Sequence, residues 1–152
     1  MLFISCDKEH FVFNKTEVLP VEGWKYNDRV GFNVPVVDTN YIYNLILEVE
    51  NEADYPYQNA YLKIWTKFPE GDTLSQALSL ELFDNEGQPN GECSDELCKS
   101  IINMQDSVYF NQLGHYYFGF EQYGRQEVMT GLKSLTLKLQ KTDVSITAED
   151  KK

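Results

Sequence analysis

Five segments of this chain alternate apolar and polar side chains with a period of two. Tyr41, Tyr43, Leu45, Leu47 and Val49 interleave with Asn44, Glu48 and Glu50, and only Ile42 and Ile46 break the polar side. Leu62, Ile64, Thr66 and Phe68 alternate with Tyr61, Lys63, Trp65 and Lys67. Leu74, Leu78, Leu80 and Leu82 stand opposite Ser75, Ala77, Ser79 and Glu81. Tyr116, Phe118 and Phe120 oppose Tyr117, Gly119 and Glu121, and Leu135, Leu137 and Leu139 oppose Thr136 and Lys138. Successive side chains of a strand point to opposite faces, so each segment reads as a strand with one dry and one wet face. Shorter runs at residues 11–14, 30–34 and 107–110 bring the candidates to eight. Turn-forming clusters separate them, among them Phe68-Pro69-Glu70-Gly71-Asp72 and the Gly-, Pro- and Asn-rich stretch 84–91. Residues 95–104 alone admit a helix, of two turns at most. Strands without crossover helices pair antiparallel, and one dry face each requires two sheets face to face. The expected fold is all-β: an antiparallel β-sandwich, jelly-roll-like.

The 152 residues suit one domain, large enough to bury roughly two thirds of the unfolded surface. The expected organisation is a signal remnant and tether over 1–10, one sandwich over 11–141 and a polar tail over 142–152. Against 24 Asp and Glu stand only 13 Lys and Arg, a formal charge of −11. That balance excludes a phosphate-binding surface, and with it nucleic acid as a partner or anionic lipid held by a basic patch.

Catalytic and metal chemistry find little to work with. His10 and His115 are the only histidines, and three cysteines do not make a four-thiolate site. No nucleophile elbow, phosphate loop, zinc-protease or dinucleotide motif is present. The sequence therefore predicts no enzyme, no catalytic or metal-ligating residues, no cofactor and no small-molecule ligand. Asp84, Glu86, Glu92, Asp95 and Glu96 miss the register of a calcium loop and read as a solvated acidic loop. Cys93 and Cys98 close a short loop; in an exported protein they suit a local disulfide, and otherwise they are two free thiols. Trp65 falls in the polar register of its strand, facing solvent or a partner. Together with Trp24 it raises an alternative function, a carbohydrate-binding surface protein with an aromatic glycan-binding face; the plainer reading is that these rings fill a β-core and its edges.

The first residues, Leu2-Phe3-Ile4-Ser5-Cys6-Asp7, look like the end of a bacterial lipoprotein signal, with a small residue before the cysteine that takes the lipid, although the basic and long apolar regions of such a signal are missing. The plain alternative is a free cysteine on a frayed terminus.

The segment Asn51-Glu52-Ala53-Asp54-Tyr55-Pro56-Tyr57-Gln58-Asn59 resembles the N-x-x-D-Y-P-Y-x-N stretch of the gliding-motility lipoproteins of the GldH type. The similarity continues through Phe68-Pro69-Glu70-Gly71, residues 80–87, Gly114-His115-Tyr116-Tyr117-Phe118 and Gly131-Leu132, and includes Ser5-Cys6-Asp7. It departs at Pro89-Asn90-Gly91-Glu92-Cys93, where the family often has a glycine-rich stretch, and is loose at Glu121–Arg125. The resemblance implies a lipoprotein of Bacteroidetes-type bacteria acylated on Cys6, associated with gliding and type IX secretion. It would sit in the cell envelope, anchored to a membrane on the periplasmic or outer-membrane side, and stay soluble if made without its signal. It would act by binding or scaffolding other motility or secretion proteins. Within it, Tyr55, Pro56 and Tyr57 are the favoured interface, two amphipathic rings flanking a rigid proline, with Trp65 as a further contact; the plain alternative is a packed loop closing one end of the sandwich.

Overall fold

The computed structural model describes residues 10–146, so Cys6 and the residues beyond 146 lie outside the described part. Its strands are β1 (His10–Val18), β2 (Trp24–Lys25), β3 (Val30–Val36), β4 (Tyr41–Glu52), β5 (Asn59–Lys67), β6 (Thr73–Glu81), β7 (Glu92–Ser94), β8 (Leu97–Val108), β9 (Gly114–Gln122), β10 (Val128–Met129) and β11 (Leu132–Ser145). They form a five-stranded sheet in the order β1-β11-β4-β8-β7 and a four-stranded sheet in the order β3-β9-β5-β6, with β2 and β10 as a separate ribbon. All pairing is antiparallel. Among the long strands the hairpin partners nest: β1 with β11, β3 with β9, β4 with β8, β5 with β6. A single long hairpin rolled into two sheets gives that nesting, which is the jelly roll.

The period-two pattern sets which face is buried. Along β4, Tyr43, Leu45, Leu47 and Val49 point inward, and the register lays Leu47 beside Leu137 of β11 and Ile102 of β8. From the other sheet Phe32, Val34, Leu62, Ile64, Tyr116, Phe118 and Phe120 meet them. Phe32 and Phe120 stack edge to face with centroids 5.8 Å apart. Each fully buried Leu, Val or Phe side chain contributes roughly 1.5–3 kcal/mol over leaving it in water.

Three features differ from the sequence reading. The helix candidate at 95–104 is instead the β7–β8 turn and the first part of β8. There Cys98, Ser100, Ile102 and Met104 turn inward and Leu97, Lys99, Ile101 and Asn103 outward. Two isolated helical turns are marginal, whereas this segment finds a full antiparallel partner in β4. In β6 the inward register is shared by Leu74, Leu78 and Leu80, but only Leu80 is buried and Leu74 stays 61% exposed. Finally, β11 runs on to Ser145, past the point where the polar tail was expected to begin, because Thr142 Oγ1 donates to Ile42 O at 2.7 Å and Ile146 N to Asn40 O at 2.8 Å.

Candidate functional site

The segment carrying Tyr55, Pro56 and Tyr57 takes the chain from β4 in one sheet to β5 in the other. Its backbone is tied at both ends: Ala53 N donates to Glu96 O at 2.8 Å, and Leu82 N and Phe83 N both donate to Gln58 O at 3.0 Å. Tyr55 points into the fold and is 7% exposed, with its hydroxyl donating to Asn59 O at 3.1 Å. Burial, with Tyr57 close by, pushes its phenol up to about 12. Tyr57 points the other way and is 51% exposed. Its ring stands edge-on to Tyr55 with centroids 5.9 Å apart, and its hydroxyl accepts from Gln126 Nε2 at 3.1 Å. The loop thus divides its work: Tyr55 packs, while Pro56 and Tyr57 form a rim.

A second wall faces that rim. Gln122, at the end of β9, is 3% exposed, and its amide organises the following loop. Nε2 donates to Gln126 O at 2.9 Å, Glu127 O at 3.1 Å and Trp24 O at 3.3 Å, and Oε1 accepts from Gly124 N at 2.8 Å. Tyr26 adds a bond from its hydroxyl to Gly124 O at 2.7 Å. Between the walls lies a cleft of about 500 Å³, lined by Tyr55, Pro56, Tyr57, Tyr61, Met129, amide side chains and Arg125. Arg125 makes no ion pair among the described residues. The cleft is therefore aromatic and apolar, with one uncompensated cation, on a chain of charge −11. Such a lining binds by stacking, apolar burial and a single charge.

Trp65 belongs to a different surface, the outer face of the four-stranded sheet. Along β5 it follows the outward Tyr61 and Lys63. Its ring carries Arg29, with Cζ 4.6 Å from the centroid, and Lys63, with Nζ at 4.8 Å, while Arg29 Nε bonds Glu121 Oε2 at 2.9 Å. A sugar stacking on Trp65 would compete with those cations. Trp24 offers no ring face: it is 1% exposed and donates from Nε1 to Asp28 O at 2.6 Å, a core position because β2 folds onto β10. The expectation that Trp24 contributes to a glycan surface is thereby overturned.

Of the predicted contact residues the structure brings Tyr55, Pro56 and Tyr57 together and leaves Trp65 apart. Gln122, Arg125 and Met129 were missed. Gln122 did leave a signal, a polar residue in the inward register of Tyr116, Phe118 and Phe120.

Cys93 and Cys98 sit opposite each other across the β7–β8 hairpin, with Sγ atoms 1.98 Å apart. In the acidic loop, Asp84 accepts from Glu86 N and Gln88 N at 2.9 Å each and so serves its own turn. Among the described residues no three His, Cys, Asp or Glu side chains gather where they would hold a metal ion.

Residues 11–139, the whole sandwich short of its last strand end, match the family model described as GldH lipoprotein. A gliding motility lipoprotein GldH homolog of Christiangramia forsetii is 25% identical over 150 residues, covering 94% of this chain and 91% of its own length. The gliding motility lipoprotein GldH of Flavobacterium johnsoniae is 24% identical over 150 residues, covering 94% and 92%. A solved family GH115 4-O-methyl-α-glucuronidase overlays 91% of this chain with 18% of its own, at 11% identity and a TM-score of 0.38. With the family model spanning strands of both sheets and both walls of the cleft, this chain belongs to the GldH lipoprotein family.

Proposed function

We propose that this chain is a non-catalytic lipoprotein of a gliding-motility apparatus, held at a membrane of the cell envelope through an acylated Cys6. Its aromatic cleft docks an exposed segment of another envelope protein of that apparatus or of its associated type IX secretion machinery. The relatives named as gliding motility lipoproteins support the setting. The observation that carries the docking role is the cleft, which offers tyrosine rings, a methionine and one unpaired guanidinium to a partner. Tyr57 and Arg125 stand at its surface, so their side chains are available before any partner arrives. Apolar rings with an arginine are the side chains that concentrate binding energy in protein interfaces.

The test uses native cells expressing Tyr57→Ala, Arg125→Ala and Cys6→Ser. The two cleft variants should keep the wild-type melting temperature and lose crosslinked partner and surface spreading; Cys6→Ser should move the protein from the membrane to the soluble fraction. Normal spreading and partner recovery in both cleft variants would remove the cleft from the mechanism. An unchanged membrane fraction in Cys6→Ser would remove the anchor.

A further inference from the structure

Lys25, Lys63, Lys67 and Arg125 have no carboxylate partner among the described residues. Two of them, Lys63 and Lys67, stand on β5 at the outer face of the four-stranded sheet. Two outward rows cross all four strands there. Asn33, Tyr117, Lys67 and Thr73 form one, and Gly31, Gly119, Trp65 and Ser75 form the next. Arg29 enters from the β2–β3 connection and reaches over the second row onto Trp65. Together they enclose a hollow of about 350 Å³, lined by Arg29, Asn33, Trp65, Lys67, Thr73 and Tyr117. That lining holds two cations and no carboxylate, on a chain with 24 Asp and Glu.

Two glycines build the hollow. A Cβ on Gly31 would stand 2.5 Å from Cε1 of Tyr117, and one on Gly119 would stand 2.7 Å from Cδ of Arg29. The bare backbone of that row lets the tyrosine ring and the arginine stem lie down on the sheet. Rings then hold the cations in place. Arg29 and Lys63 both sit over Trp65, and Lys63 Nζ is also 5.8 Å from the Tyr123 centroid. A ring face attracts a cation without neutralising it. Glu121 lies opposite Lys63 in register but bonds Arg29, and it meets Nε alone. The two terminal guanidinium nitrogens of Arg29 keep their donors free among the described residues. On the strands of this sheet the only acidic residues are Glu81 and Glu121. Glu81, and Glu70 and Asp72 of the β5–β6 turn, form no ion pair with these cations.

We infer that this hollow binds a carboxylate side chain from an extended acidic segment of another protein. The terminal nitrogens of Arg29 and the Lys67 ammonium supply the charge. Asn33, Thr73 and Tyr117 add neutral donors around it. Spacing favours a peptide. Lys63, Trp65 with Arg29 upon it, and Lys67 recur at every second residue of β5, about 6.6 Å apart. A segment with acidic residues at alternate positions has the same repeat, so its carboxylates fall in step with all three cations. An acidic sugar would need a bare ring to stack on, and the Trp65 ring already carries Arg29 and Lys63. Three cations are also too few for a nucleic-acid backbone. The charge of −11 does not forbid the approach, because physiological salt screens carboxylates lying more than about 8 Å away. The hollow shares no lining residue with the aromatic cleft, so either site can fail without the other.

The test titrates the 152-residue chain carrying Cys6→Ser with a peptide of alternating glutamate and serine, read by amide and indole NMR shifts. Shifts should concentrate at Arg29, Asn33, Lys63, Trp65, Lys67 and Tyr117, with a dissociation constant of about 1 mM. A peptide of alternating glutamine and serine should cause none. Lys67→Glu and Arg29→Gln, both at exposed side chains, should each weaken binding by at least about fivefold while the melting temperature holds. Lys25→Glu makes the same change of net charge as Lys67→Glu, outside the hollow, and should leave the affinity unchanged. No shift with the glutamate peptide overturns the inference, as does equal binding of the glutamine peptide. Equal losses in Lys67→Glu and Lys25→Glu overturn it too, since they would reduce the effect to overall charge. Tighter binding of an oligogalacturonate at the same residues would replace the protein segment with an acidic glycan and so overturn the assignment.

Discussion

A Cβ placed on Gly131 would stand 2.7 Å from Cδ1 of Tyr55. Gly131 has φ 97°, in the left-handed region, and its carbonyl accepts from Glu52 N at 2.8 Å. The chain between β10 and β11 is thus bent so that the tyrosine ring of the β4–β5 loop can lie directly on its backbone. Gly131→Ala adds backbone strain and a steric clash together, and should lower stability by about 2–4 kcal/mol. Tyr55→Phe, which keeps the ring and loses one hydrogen bond, should cost about 1 kcal/mol. Tyr57→Ala, on the exposed rim, should stay within about 0.5 kcal/mol of wild type. Denaturant melts of the three variants order them directly; equal losses for Tyr55→Phe and Tyr57→Ala would contradict the division of the loop into packing and rim.

Gln122 is the second structural pivot of the cleft. Its amide meets three carbonyls and one N–H of the surrounding backbone, and the site is buried. Gln122→Leu preserves bulk but leaves those groups without their partner, so it should cost about 1–3 kcal/mol. The diagnostic readout is local: amide exchange of residues 123–127 should accelerate much more than that of β4 or β11. Uniform acceleration across the sandwich would mean that Gln122 supports the whole fold and not the cleft wall.

How far the sequence foretold this arrangement depends on where one looks. The strands around Leu47, Phe118 and Leu137 were legible because one face is dry and the other wet, and β-sandwich burial writes that contrast directly into a period of two. β8 was misread because its inward positions include Cys98 and Ser100, which do not look apolar, while Ile101, which does, faces solvent. Leu74 was read as inward, and its direction is right, but its exposure depends on a sheet edge that only the strand order discloses. The cleft was half visible: Tyr55-Pro56-Tyr57 announces a rigid aromatic loop, whereas the opposing wall arises from a buried glutamine and a long-range ribbon of Trp24-Lys25 with Val128-Met129. Such pairings are set by topology and leave no local pattern.

Stability should fall at both ends of the pH scale, for separable reasons. The backbone N–H of Asn40, and after it Lys141, holds the Asp38 carboxyl below its ordinary 3.8. In return the hydrogen bond that Lys141 Nζ donates to the Asp38 carboxylate raises Lys141 above 10.5. Asp38 therefore stabilises the fold above its unfolded value, and that part is lost as pH falls through the lowered one. Lys141 stabilises fully below 10.5, and loses its part as pH rises through the raised value. Buried Tyr55 acts with the same sign as Lys141, its part fading from pH 10 towards about 12. In melts across pH, Asp38→Asn should flatten the acid limb slightly and Tyr55→Phe the alkaline limb more. An alkaline limb unchanged in Tyr55→Phe would show that its phenol titrates as an exposed one.

The Cys93–Cys98 link closes the β7–β8 hairpin, which turns through Asp95 in the left-handed region at φ 60°. Cys98 is buried against the sandwich while Cys93 is exposed, so reductant reaches the bond from outside. A loop this short removes little entropy from the unfolded chain, and the bond should contribute only about 2 kcal/mol. β8 owes its place mainly to β4, with which it pairs along most of its length. Reduction, or Cys93→Ser with Cys98→Ser, should therefore release the three residues of β7 and leave β8 in the sheet. Exchange protection would fall at residues 92–96 and persist at 101–105, with melting still cooperative. Loss of protection along all of β8 on reduction would show instead that the sheet edge depends on the disulfide, and that its growth from β4 is not self-sustaining.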